Sequence, residues 1–254
     1  MKKAILFLIL MYSTAGMASV FQTAIQPYQP VYFVAGDKED QVKFQVSAKY
    51  SLIFPSTIGL YAAYTQKAWW KLYDESSPFY EFNHEPELFW IFESKKNFMN
   101  LDTGYLDYFQ VAPIYHKSNG RDGEGSRSIN CYYARAQFSV GEVYNFGIVA
   151  KIFGYYSKAI ENKDIEKYQG YVEGEAFFQL KSRAVEYFDK EKIYIKGGGS
   201  ISDRKGWIEG GIRVRIVTTV FQPFFFVQAY HGYAEKLIDY NKKDTAIRAG
   251  ITFE

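Results

Sequence analysis

His116 and Ser118 lie two residues apart at the end of an apolar run. Asn130 opens the next such run after a loop rich in Gly, Ser and charge. On a β-strand, residues i and i+2 project from one face, so the imidazole and the hydroxyl are neighbours without further folding. A hairpin closing across the loop brings Asn130 back beside His116. A hydroxyl, an imidazole to take its proton and an amide to orient that imidazole are the parts of a nucleophilic hydrolase. In that chemistry Ser118 attacks an acyl carbonyl, and His116 takes the proton and returns it to the leaving group. Asn130 fixes the imidazole tautomer. A neutral amide cannot stabilise the imidazolium as a carboxylate does, so extra positive charge near the oxyanion is called for.

The elements that must hold these residues alternate with period two. From Gln41 to Tyr50, Val42, Phe44, Val46, Ala48 and Tyr50 share one face, and Lys43, Gln45, Ser47 and Lys49 the other. Further strand segments are expected over Pro27–Ala35, Ile58–Trp70, Phe79–Phe92, Leu101–His116, Ser128–Val140, Glu142–Tyr156, Lys167–Leu180, Ala184–Gly197, Trp207–Val217, Phe221–Tyr233 and Thr245–Phe253. That gives about twelve strands, most of them near the ten or so residues a tilted strand needs to cross a bilayer. Gly197-Gly198-Gly199 is expected as a bend or tight turn between strands, and no helix follows it to make a phosphate site.

Composition agrees with a barrel wall. Aromatic residues make up 19% of the 254-residue chain while charged residues still reach 23%. A soluble β-sandwich accounts for the alternation but not for that aromatic load, whereas a lipid-facing wall with aromatic girdles uses it. Trp69 and Trp70 are expected as anchors at the membrane–water interface. The net charge of +2 gives no sign of a nucleic-acid partner. Cys131 is the single cysteine, which rules out an intrachain disulfide and shares parity with the polar face. At the N-terminus, Lys2 and Lys3, the short apolar stretch Ala4–Tyr12 and Gly16-Met17-Ala18 read as a signal peptide over 1–18, too short in its apolar core to span a membrane. The expected architecture is all-β: a single transmembrane antiparallel β-barrel over 19–254.

The strand after the loop says which way the site faces. Asn130 shares parity with Tyr132, Ala134, Ala136, Phe138 and Val140, and the opposite face carries Arg135, Gln137 and Ser139. In a barrel the apolar face meets lipid, so Asn130 points outward near one rim, and His116 must face the same way to reach it. The preceding strand is apolar on both faces and cannot confirm this alone. A hydrolytic site on that wall meets membrane lipids first, whose esters lie near the headgroup boundary.

At these residues the chain resembles the outer membrane phospholipase A family of Gram-negative bacteria, a twelve-stranded barrel. The signature is His-x-Ser-Asn-Gly followed by Ser-Arg-Ser-x-Asn, here His116–Gly120 and Ser126–Asn130. Tyr64-Thr65-Gln66-Lys67, Trp69-Trp70, Ser76-Ser77-Pro78-Phe79, Glu85-Pro86, Lys167-Tyr168 and Leu237-Ile238-Asp239-Tyr240-Asn241 extend it over most of the chain. The resemblance implies a His116, Ser118, Asn130 triad, with the Gly120 amide polarising the oxyanion. It also implies a calcium-dependent homodimer. Calcium would be held by the Arg121 carbonyl and Ser126, with Ser76 from the other subunit, and Gln66 would lie at the dimer interface. It further implies cleavage at both acyl positions of phospholipids and of lysophospholipids. Two features depart from the family. Gly123 stands where an aspartate can hold a second calcium, although Asp122 and Glu124 flank it. The connection before Gln41 is short, and the chain ends Phe253-Glu254 rather than on an aromatic.

Plainer readings stand beside these. Ser76 reads also as a turn residue before Pro78; Arg121, Arg127, Asp122 and Glu124 as loop charges; His84 and His231 as structural. A passive pore has no use for polar groups on its lipid face, and about twelve strands leave little open lumen once side chains fill it. Lipid A deacylases also use a His-x-Ser pair on a barrel wall but resemble smaller, eight-stranded barrels.

Overall fold

A computed structural model of the chain describes residues 25–36, 42–53, 58–93, 104–141, 144–181, 189–216 and 223–253. The expected signal peptide lies outside them. The wall begins with β1 (Ile25–Pro27) and β2 (Val31–Ala35), then β3 (Val42–Ile53), β4 (Ile58–Trp70) and β5 (Phe79–Glu93). β6 (Tyr105–Ser118), β7 (Ser128–Val140), β8 (Tyr144–Lys158) and β9 (Val172–Lys181) follow. β10 (Asp189–Ser200), β11 (Lys205–Arg215), β12 (Phe224–Gly232) and β13 (Asp244–Phe253) complete it.

From β2 onward each strand pairs antiparallel with its sequence neighbour, and β13 returns to β2, from Ala249 opposite Ala35 to Phe253 opposite Val31. β1 and β2 both lie along β3, one opposite Ala48–Tyr50 and the other opposite Lys43–Gln45. They act as one wall strand broken at Tyr28-Gln29-Pro30. The result is a closed ring of twelve antiparallel strands, which leaves no sheet edge unpaired in lipid.

Burial follows the alternation. In β8, Tyr144, Phe146, Ile148 and Ile152 are exposed on the outer face, while Asn145, Val149 and Phe153 turn inward and are buried. The interior is polar and charged. Lys67 meets Glu85 at 3.0 Å, Lys192 meets Glu175 at 2.5 Å and Lys196 meets Glu209 at 2.9 Å. These pairs join neighbouring strands and line an interior cavity of about 620 Å³.

One mouth is closed by residues 233–243, between β12 and β13. Glu235 accepts hydrogen bonds from Arg248 at 2.6 and 2.9 Å and from Lys43 at 3.1 Å, all buried. The Ile238 amide donates to Glu81 at 3.0 Å, and Leu237 and Tyr240 pack in the main core with Ile129, Cys131 and Ile165. The same mouth carries the β4–β5, β6–β7, β8–β9 and β10–β11 connections, and hence the candidate site.

Three expectations are corrected here. Residues 166–169 are a helical turn, α1 (Glu166–Gln169), not the start of a strand. Ile165 is buried in the core, and Gly170, at φ 77°, ends the turn before β9 begins. Gly197-Gly198-Gly199 lies inside β10, paired with β9 and β11, not in a turn. Added Cβ atoms would fall 2.8 Å from the Trp207 carbonyl oxygen at 197 and 2.8 Å from that of Val172 at 198. Close strand approach, not a bend, requires the glycines. Trp69 is fully buried inside the barrel, with the Lys43 ammonium 5.3 Å from its ring, and is no interfacial anchor. Trp70 faces outward and donates to the Ser77 carbonyl at 2.7 Å, tying down the β4–β5 connection.

Candidate active site

Strict alternation along β6 would place His116 and Ser118 inside the barrel. Gln110 and Ala112 point inward and are buried, and His116 and Ser118 share their parity. The pairing register shows why they do not follow. Ala112 faces Tyr133 while Tyr115 faces Cys131, so β6 spends one residue more than β7 over that interval. The same slip occurs against β5, where Val111 faces Trp90 and Ile114 faces Leu88. This is a β-bulge, and Pro113 sits in it. Proline has no N–H for the ladder and within sheets is confined to edges and bulges. Pro113 and Ile114 both turn outward, and the parity inverts: beyond them Tyr115 and Lys117 face the interior, His116 and Ser118 the outer wall.

β7 needs no such device. Ile129, Cys131 and Tyr133 are buried inside, so Asn130 and Tyr132 face out. His116 and Asn130 are direct cross-strand partners, and His116 Nδ1 lies 2.8 Å from Asn130 Oδ1. An amide oxygen only accepts, so Nδ1 carries the hydrogen and donates it, leaving the Nε2 lone pair free to take a proton. Ser118 projects from the same face one pleat further on, opposite Ser128 on β7 and His84 on β5.

The loop between β6 and β7 is folded around Asn119, a residue to which the sequence reading assigned no part. Its buried side chain donates to the Gly125 carbonyl at 2.9 Å and accepts from the Arg127 and Arg121 amides at 3.0 and 3.3 Å. Gly120 follows at φ 65°, in the left-handed region that favours glycine. Arg121 folds back across Gly125, its Cδ 3.6 Å from where a Cβ there would stand. That brings residue 121 close to Ser126, whose amide donates to the Gly123 carbonyl at 3.0 Å. The Arg121 and Arg127 guanidinium groups are occupied by carbonyls, Arg121 by that of Tyr80 and Arg127 by those of Glu124 and Ser126.

Among the described residues no cluster of His, Cys, Asp or Glu side chains is spaced to hold a metal. A cation at this loop would therefore rest on the Arg121 carbonyl and the Ser126 hydroxyl. These are the oxygen donors a hard cation such as calcium accepts, and they fill only part of its six to eight positions. Asp122 and Glu124 are exposed beside them, on either side of Gly123. Ser76 is exposed in the β4–β5 connection at the same mouth, clear of the two hydrogen bonds by which Ser77 braces that turn.

Gln66 faces outward on β4, directly opposite His84. His84, read from the sequence as structural, stands between Gln66 and Ser118, and its Nδ1 lies 2.7 Å from the Tyr64 hydroxyl. The signal available in the sequence was parity, since His84 alternates with Glu85 and Glu87, both inward. His231, far round the wall on β12, pairs its Nδ1 with the Thr245 hydroxyl at 2.8 Å.

Comparison with known proteins agrees with this picture. Residues 3–253 match the family model described as phospholipase A1. The chain is 34% identical over 226 residues to phospholipase A1 of Salmonella typhimurium, covering 84% of this chain and 70% of that protein. The structure superposes on outer membrane phospholipase A from Escherichia coli with a TM-score of 0.76 at 29% identity, covering 91% of both chains. It matches the Salmonella typhi outer membrane phospholipase dimer with bound calcium at 0.75 and 28%, covering 91% of this chain and 92% of that one. A family model that spans nearly the whole chain, together with this level of identity and superposition, places the chain in the phospholipase A1 family of outer-membrane β-barrels.

Proposed function

We propose that the chain is a calcium-dependent serine hydrolase that cleaves sn-1 and sn-2 acyl esters of glycerophospholipids, and of lysophospholipids, through Ser118, His116 and Asn130. The observation that carries the reading is the 2.8 Å contact from His116 Nδ1 to Asn130 Oδ1 on the outer wall, with Ser118 on the same face. A phospholipid in the outer leaflet presents its ester at that level without entering the lumen.

The reaction follows from these groups. The Ser118 hydroxyl oxygen adds to the acyl carbonyl carbon as its proton passes to His116 Nε2. The carbonyl oxygen becomes an oxyanion, which the Gly120 amide would stabilise. Collapse expels the glycerol oxygen, which takes the proton from His116. Water then enters with the same imidazole as base, releasing the fatty acid and restoring Ser118. Asn130 keeps the ring in the tautomer that makes Nε2 the base. Calcium, held by the Arg121 carbonyl and Ser126 with Ser76 of a second subunit, would supply the positive charge that a neutral amide does not.

A homodimer is part of the proposal. Ser76 and Gln66 lie on the same side of the wall as the site, and the S. typhi relative is described as a dimer with bound calcium. Residues 1–18 are proposed as the export signal that precedes the barrel.

The test is hydrolysis of phospholipid in detergent micelles by refolded protein, with calcium and with a chelator, alongside Ser118→Ala. Activity lost in both the chelated and the substituted samples is expected. A folded Ser118→Ala protein that still hydrolyses phospholipid would sink the triad, and cleavage of lipid A in place of glycerophospholipid would assign the site to a deacylase.

A further inference from the structure

His84 occupies a place on the outer wall that the reaction can use. It faces Gln66 across one strand pair and Ser118 across the other, so its ring lies in the same row as the nucleophile. Its outer edge abuts Gly120: a Cβ on that glycine would sit 3.4 Å from both Cδ2 and Nε2 of the ring. Its other edge is held by the Tyr64 hydroxyl at 2.7 Å from Nδ1, and Phe82 stacks beside it with ring centroids 6.3 Å apart.

The Tyr64 hydroxyl has two acceptors within reach, His84 Nδ1 at 2.7 Å and Gln66 Oε1 at 3.5 Å. We assign the phenol proton to the shorter bond. Nδ1 is then the acceptor, and the neutral ring carries its hydrogen on Nε2. Protonation of the ring leaves that N–H in place, so the donor persists in either charge state. The neighbouring carboxylates of β5, Glu81, Glu85 and Glu87, are buried on the inner face and offer it no acceptor. Among the described residues the Nε2–H has no hydrogen-bond partner, and a donor facing lipid without one is costly. The acceptor that the reaction itself supplies is an oxygen gaining charge beside Ser118.

Resting on the serine-hydrolase reading above, we propose that His84 Nε2–H is a second oxyanion donor, acting with the Gly120 amide. When the Ser118 oxygen adds to the acyl carbon and its proton moves to His116 Nε2, the former carbonyl oxygen accepts from both. Tyr64 is a positioning residue: it never meets the substrate and acts by setting the His84 tautomer. Gln66, through Tyr64, connects this donor to the face where a second subunit docks, so dimerisation and oxyanion stabilisation share one row of side chains.

The test compares His84→Phe, which keeps a ring but no N–H, with His84→Gln, which restores an N–H at similar reach. Loss of an oxyanion donor is expected to lower kcat by roughly a hundred- to a thousandfold in His84→Phe, with KM changed less than about twofold, and His84→Gln recovers most of it. A phospholipid analogue with a trifluoromethyl ketone at the scissile position forms a hemiketal with Ser118 that mimics the oxyanion. Its inhibition constant should rise by the factor that kcat/KM falls, while a non-hydrolysable ether phospholipid binds both forms equally. Wild-type kcat in folded His84→Phe overturns the assignment. So does an equal loss in His84→Phe and His84→Gln with unchanged inhibition, the mark of a structural role. If His84→Phe does not fold, Tyr64→Phe carries the test: kcat falls severalfold if the tautomer matters, and wild-type kcat counts against the proposal. Ser118→Ala is run in parallel. Activity surviving there removes the serine-hydrolase reading itself, whereas an inactive Ser118→Ala beside a wild-type His84→Phe removes only His84.

Discussion

Asn130→Ala separates orientation from charge stabilisation in this site. The substitution removes one neutral hydrogen bond, the 2.8 Å contact to His116 Nδ1, and leaves Ser118 and the loop untouched. Such a bond contributes about 0.5–1.5 kcal/mol net, and a donor left without its partner costs roughly 1–3 kcal/mol. With each 1.36 kcal/mol worth a factor of ten in rate, kcat/KM should fall about tenfold, and no more than roughly a hundredfold. That is much less than the loss of about 10⁴ seen when the aspartate of a serine-protease triad becomes asparagine. In that protease the introduced asparagine holds the imidazole in the wrong tautomer, whereas Asn130→Ala imposes no wrong tautomer and only releases the right one. The assay is phospholipid hydrolysis in mixed micelles at saturating calcium, with heat-modifiable electrophoretic mobility to show that the barrel is closed. A loss as deep as that of Ser118→Ala would refute the reasoning, and so would no loss at all.

Three further outcomes follow from the geometry. Gly120→Ala forces a Cβ into the left-handed region at φ 65°, at about 1 kcal/mol in stability. It should lower kcat by more than that penalty explains, because the oxyanion amide moves with it; kinetics and thermal melting of the same preparation compare the two. Ser126→Ala should raise the half-saturating calcium concentration severalfold while leaving KM for phospholipid nearly unchanged, as a calcium titration of activity reads directly. Glu235→Gln leaves Lys43 and Arg248 buried without their counter-charge and should destabilise the barrel by about 3–5 kcal/mol. Burial opposes ionisation of Glu235, but Lys43 and Arg248 override it and hold the carboxyl well below the usual carboxylate range. A carboxyl depressed in the folded state stabilises fully above its unfolded pKa of about 4 and loses that contribution as pH falls through the folded value. The gap between wild type and Glu235→Gln should therefore be widest near neutrality and narrow in acid, which denaturant unfolding at several pH values measures.

Much of the wall was legible in the sequence because a bilayer enforces a strict rule: one face of each strand is apolar, and the period is two. The spans Ile58–Trp70 and Ser128–Val140 were recovered as they stand. The outward direction of Asn130 could be read from β7 because the stretch from Asn130 to Val140 alternates cleanly. β6 concealed its own geometry, since apart from Gln110 the residues on both faces of Tyr108–Ile114 are apolar and a bulge leaves no mark in composition beyond one proline. Trp69 misled for a related reason. Paired tryptophans look like an interfacial girdle, but neighbours on a strand must point to opposite faces, and one of the two had to be inside. The helical turn Glu166–Gln169 escaped because so short an element has no period to detect. The neighbours of His84 were not legible because they are lateral: Tyr64, Ser118 and Gly120 reach it across strand pairs, not along the chain.

The bulge at Pro113 gives insertions and deletions in β6 a meaning that substitutions lack. A strand behaves like a reading frame of two, and one inserted residue inverts everything beyond it. Were Pro113 kept in a regular ladder, with no bulge to absorb it, His116 and Ser118 would face the interior, among Lys67, Glu85 and Glu173, and Lys117 would stand against lipid. The same hydrolytic parts would then meet small water-borne esters rather than bilayer phospholipids. Access to the membrane is thus set by a single frame shift in the backbone. When this chain is aligned with relatives, a one-residue gap within Ala112–Tyr115 decides whether equivalent letters lie on the same side of the wall.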